Sequence, residues 1–145
     1  MIQRIQTIFL LLTAIVFASL FRIPFAVSDQ PSTQFLSDGD FDVNDHPVLI
    51  GLTVTGAFIA LITIFLYKRR KVQLKLGYLI IVVAILLPVI AFLLFTRSSA
   101  NAESYLGISD QLGLFIPLIA ILFTVLANHF IKKDEKLVKS MDRLR

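Results

Sequence analysis

The stretch DGDFDVND holds the carboxylate spacing in this chain that most suggests metal chemistry. Asp38, Asp40 and Asp42 alternate like the opening ligands of a calcium loop, and calcium takes hard oxygen donors. The pattern then lapses, because Val43 stands where the loop needs a glycine and Leu49 where it needs a bidentate glutamate. What remains is a weak calcium candidate, and no resident metal or cofactor is expected. Pairs of base and carboxylate are equally sparse: His46 beside Asp45, and His129 a turn and a half before Asp134. The chain has no cysteine, which excludes disulfides, thiolate metal sites and a cysteine nucleophile. Two histidines alone do not complete a zinc site. A His-Glu-x-x-His helix and a phosphate-binding glycine loop are missing too, so the expectation is that the protein is not an enzyme.

The elements that must hold these residues are unusually apolar. Of 145 residues, 57% are hydrophobic and 17% charged, and the mean hydropathy is +0.82. Four stretches lack charge for about the length a bilayer demands: 5–27 (interrupted by Arg22), 47–67, 76–96 and 111–131. The last three are each about 21 residues, or about 31 Å of helix, against a hydrocarbon core of about 30 Å. The first is read as a retained span rather than a cleaved signal, since it exceeds the usual apolar region of about 7–15 residues. The predicted fold is all-α: a single four-helix transmembrane bundle with an outer loop at 28–46 and a helical extension of the last span at 132–145.

Charge settles the expected orientation. Arg4, the cluster Lys68, Arg69, Arg70, Lys71 and Lys75, and six bases of the tail from Lys132 and Lys133 onward make twelve of the fourteen Lys and Arg. With Asp134, Glu135 and Asp142 that side nets +9, and the other side, with two bases and seven acids, nets −5. Because Lys/Arg bias in short loops sets topology, both termini are expected in the cytoplasm. The two His–carboxylate pairs then face opposite compartments. The run YKRRKVQLK is read as an anchor against anionic headgroups, not as a nucleic-acid patch, because spans flank it on both sides.

Packing signals lie inside the spans. Gly51/Thr55 and Gly56/Ala60 are small-xxx-small pairs that admit a neighbouring backbone, read first as internal packing and second as dimerisation. Pro88 and Pro117 each remove a backbone donor and are expected to kink their helices. Arg22 is read as an interfacial anchor, and Asn128 with His129 as an interfacial cap or interhelical hydrogen bond. In the tail, Phe130, Leu137, Met141 and Leu144 fall on one helical stripe, an apolar face for the adjacent loop, a partner or headgroups.

The two ends, MIQRIQTIFLLL and IKKDEKLVKSMDRLR, closely resemble the Bacteroidetes membrane family filed as domain of unknown function 4293. The matching positions are Gln3, Arg4 and Gln6, then Lys133, Asp134, Glu135, Leu137, Asp142, Arg143 and Arg145. The resemblance implies a small four-span inner-membrane protein of a Gram-negative bacterium and brings no activity with it. It also hints that both cytoplasmic ends have a specific task. Asp134, Glu135, Leu137, Met141, Asp142, Arg143 and Leu144 are therefore partner-docking candidates, with Arg4 pairing across that face to Asp134 or Glu135. The expected role is a structural or accessory subunit, or an assembly factor, of a membrane complex. The alternative is a small transporter or carrier of lipid or other hydrophobic molecules acting as a homo-oligomer; the charge-free spans lack the deep carboxylate that proton-coupled export requires.

Overall fold

Each apolar stretch folds as a helix that starts and stops for a local reason. The computed structural model describes residues 3–28, 40–99, 108–110 and 112–142. In it α1 spans Gln3–Ser19, α2 Pro47–Phe65, α3 Arg70–Ser99 and α4 Ile116–Asp142. Pro47 opens α2, where its missing N–H costs nothing, and the His46 ring caps the turn by accepting from Val48 N at 3.2 Å. Pro117 sits in the first turn of α4. It begins a helix instead of kinking one, a correction that follows from α4 starting later than residue 111. Pro88 does lie inside α3.

The first span departs most from expectation. With 17 residues α1 covers about 25 Å, and the chain after it turns and then extends instead of remaining helical to residue 27. Shorter-range bonds tighten its end: Leu20 N to Phe17 O, Phe21 N to Ala18 O and Arg22 N to Ser19 O. Pro24 then biases Ile23 away from the helical region. At the other end of the molecule the expected loop 68–75 is also corrected. Arg70, Lys71 and Lys75 belong to the first turns of α3, leaving only residues 66–69 between α2 and α3.

The helices pack in a ring, α1 on α2, α2 on α3, α3 on α4 and α4 back on α1. The α1/α4 seam is set by Phe9, whose ring stacks on Phe130 at 5.6 Å, and by Thr13, whose Oγ1 lies 3.3 Å from that of Thr124. Leu10, Phe17, Leu49, Ile80, Leu87 and Ile131 are fully buried between them. Gly56 and Ala60 face this interior, Gly56 directly under the Phe17 ring. Gly51 and Thr55 point outward instead, with nothing within 4 Å of where a Gly51 side chain would begin. Their helical spacing matches that of the inner pair, but their face differs.

Polarity is inverted relative to a water-soluble bundle. Ile8, Ile15, Phe58, Phe65, Val82, Phe92, Leu118 and Leu122 are all exposed, while Thr13, Thr53, Thr63 and Thr124 are buried. Each of those threonines returns its hydroxyl to the carbonyl one turn back: Phe9, Leu49, Ile59 and Ala120. So continuous an apolar exterior suits lipid and not water. Three helices, Pro47–Phe65, Arg70–Leu94 and Ile116–Val138, are long and apolar enough to cross a membrane, and the apolar part of α1, Ile5–Ser19, is shorter.

The loops at the other end add a small antiparallel sheet that the apolar pattern does not signal. Its strands are β1 (Ala26–Ser28), β2 (Asp40–Phe41) and β3 (Ile108–Asp110), in the order β2-β1-β3. Ala26 pairs with Phe41 on one side and Asp110 on the other. Phe25 and Phe41, their rings 5.9 Å apart, close the end of the core together with Val43.

Candidate functional site at the basic end of the bundle

Two carboxylates of the acidic loop at the sheet end, Asp42 and Asp45, act as caps. Asp42 precedes the short helical turn Val43–Asp45, and its carboxylate accepts from Asn44 N at 2.6 Å and from Asn44 Nδ2 at 2.8 Å. Asp45 returns a carboxylate oxygen to Asp42 N at 2.6 Å, completing a capping box. Asp40 is exposed in β2, and Asp38 lies outside the described residues. Among the described residues no three His, Cys, Asp or Glu side chains gather as metal ligands would. His46 is likewise engaged as the cap of α2. Arg22 is exposed at the sheet end.

The opposite end gathers more. Antiparallel packing brings the start of α1, the α2–α3 turn and the last turns of α4 together. The seam Thr13–Thr124 carried toward this end places Asp134 level with the first turn of α1, because the two helices rise equally per residue. Arg4 is in that turn, with its side chain outside the description. Asp134 itself is only 5% exposed. The sequence places it in a solvated tail, and the structure turns it into the bundle. It lies in register with Ile131, Asn128, Ala127 and Thr124, the inward face of α4.

Three amides are buried at the same end: Gln6 of α1 (2% exposed), Gln73 of α3 (1%) and Asn128 of α4 (5%). Gln73 Nε2 donates to Thr63 O at 3.1 Å, satisfying a carbonyl that the end of α2 leaves free. That bond fixes the orientation of its amide and leaves Gln73 Oε1 without a partner; Gln6 Oε1 and both amide atoms of Asn128 are also unpartnered. Asn128 reaches this position because Gly77, facing it from α3, has no side chain. The interhelical hydrogen bond expected of Asn128 is therefore not made, although the interhelical position is. His129 points outward with its ring edge-on to Phe130, so it and Asp134 do not form one site.

Outside this layer, the α2–α3 turn and α4 enclose an open groove of about 630 Å³. Tyr67, the four bases 68–71 and Val72 form one wall, and Glu135 and Val138 the other. Arg70 ties the walls together, its Nη1 donating to Asp134 O at 2.8 Å. Lys132 lies with Nζ 5.5 Å from the Tyr78 ring centre, while Lys75 and Lys133 are exposed. The expected tail stripe divides: Phe130 packs on Phe9, Leu137 is exposed, and Met141 and Asp142 have only their helical backbone described. Arg143 and Leu144 lie outside the described residues. What could have marked the missed amides is their type, since Gln6 and Gln73 are uncharged polar residues placed next to apolar helix faces.

Comparison with known proteins gives a family and no activity. The family model described as "Domain of unknown function (DUF4293)" matches residues 2–144, and the chain belongs to that family. No curated protein and no solved structure matches the chain.

Proposed function

We propose that this family member is a multi-pass protein of the bacterial inner membrane, both termini cytoplasmic, that acts as a structural or accessory subunit or assembly factor. It docks a membrane complex through its basic end and catalyses nothing. The observation that carries the reading is the course of α4. One helix leaves the apolar stretch, passes Lys132 and Lys133 and continues to Asp142, holding Leu137 43% exposed among charges. An extended helix with an apolar side chain ringed by bases and acids suits a partner segment, the apolar group for affinity and the charges for register. The orientation rests on the +9 against −5 division of charge.

A carrier acting as a homo-oligomer is the second reading, favoured by the three buried amides and by the outward Gly51/Thr55 pair, which is open to a second copy. Gentle polymer extraction from native membranes and mass spectrometry distinguish the two. The accessory reading expects a stoichiometric protein partner that is lost from the Leu137→Asp variant. A homodimer holding a small molecule, with no other protein, replaces it by the second. Topology is checked independently, because the chain has no cysteine to give background. Single cysteines introduced at positions 70 and 145 are expected to resist an impermeant thiol reagent added outside, and labelling of either overturns the orientation.

A further inference from the structure

We infer that the groove between the α2–α3 turn and α4 is a binding site for one anionic phospholipid, phosphate among the bases and upper acyl chain along the apolar lining. This rests on the membrane placement proposed above and adds a ligand to it. The argument starts from depth. The three membrane-length stretches end at Phe65, begin at Arg70 and end at Val138, so the groove lies within about a turn of every span end, at headgroup level. Tyr67 lines the groove at that level, as amphipathic rings do at a membrane interface, whereas Tyr78, beside Lys132, lies about two turns further along α3.

Charge and shape agree. Lys68, Arg69, Arg70 and Lys71 outnumber the single carboxylate of Glu135 around the groove, giving a cationic pocket flanked by Val72 and Val138. A free phosphate would need only the bases; a phospholipid uses both the bases and the apolar walls. Arg70 is held in place by its bond to Asp134 O, so the wall is preorganised and one guanidinium edge is already spent on the protein. Lys68, Arg69 and Lys71 are exposed, Lys68 with Nζ 6.0 Å from the Tyr67 ring centre. Basic pockets between helices on the cytoplasmic side recognise headgroups in this way.

The test uses the full chain purified in mild detergent, so its outcome does not depend on topology or on any protein partner. Native mass spectrometry after titration with phosphatidylglycerol is expected to show one retained lipid, and phosphatidylcholine none. Arg69→Gln with Lys71→Gln should weaken retention by on the order of thirtyfold, from about 1 kcal/mol per base. Arg97→Gln with Lys136→Gln removes equal charge outside the groove and should leave retention unchanged. Equal loss in both double variants, retention of phosphatidylcholine, or displacement of the lipid by millimolar glycerol phosphate would each overturn the proposal. Thermal unfolding of every variant without lipid separates loss of the site from loss of the fold. If the Arg69/Lys71 pair unfolds, retention by Arg69→Gln alone, expected to fall by roughly fivefold, decides the matter.

Discussion

Replacing Gly77 by alanine tests the packing of the buried Asn128 amide against α3. A β-carbon at that position would lie 2.7 Å from Cγ and Nδ2 of Asn128 and closer still to Oδ1. Asn128 is short, buried and pinned between helices, so it has little room to withdraw. Overpacking a core by one methyl costs about 1–3 kcal/mol, whereas Gly→Ala in a helix interior gains about 1 kcal/mol. The single variant is therefore expected to lose up to about 2 kcal/mol. In an Asn128→Ala background the obstruction is gone, and so are two buried polar atoms without partners. There the same Gly77→Ala change should stabilise by about 1 kcal/mol. The sign reversal is a coupling of about 1–3 kcal/mol between the positions, measurable by reversible unfolding in mixed micelles across the four proteins. Additive effects, within about 0.5 kcal/mol, would refute the packing of Asn128 on Gly77.

Three further outcomes follow from the same geometry. Gly56→Ala should destabilise, since its β-carbon would meet Phe17 Cε1 at 2.6 Å, while Gly51→Ala should stabilise by up to about 1 kcal/mol; unfolding of the two variants checks the contrast, and an equal effect would place both glycines on one face. Gly113→Ala should be the more severe change, losing about 3 kcal/mol, because the obstruction is backbone, Phe25 N at 2.9 Å and the Pro24 carbonyl closer; a parent-like melting temperature would count against the contact between the sheet end and the start of α4. Asp134→Arg should destabilise a bundle that buries that position, and Arg4→Asp in the same chain should restore part of the loss. Failure of the double reversal to recover any stability would separate Arg4 from Asp134.

How much of this was legible in the sequence varies by residue. Three membrane-length apolar helices, the helical continuation of α4 and the clustering of bases are readable because lipid imposes a minimum length and loops retain charge, and both are local properties of composition. The end of α1 is not, since its apolar run continues through residues that Pro24 and three tight turns remove from the helix. Pro117 reads as a kink in the sequence because a proline's effect depends on its distance from the helix start, which the apolar pattern sets earlier than Ile116. Asp42 reads in the sequence as a metal ligand and in the structure caps the turn Val43–Asp45, since a cap and a ligand need the same short carboxylate.

By itself the sequence determined that this chain has membrane-length apolar helices, clustered basic residues and no cysteine. Tertiary structure alone decided which small pair looks inward, that Asp134 is buried, and that Gln6, Gln73 and Asn128 are buried at one end with amide atoms left unpartnered. The physical reason is that hydrophobic length and charge balance are sums along the chain, whereas burial and contact are set by helix rotation and register. A shift of one residue rotates a side chain by about 100°, and no count of residue types contains that angle.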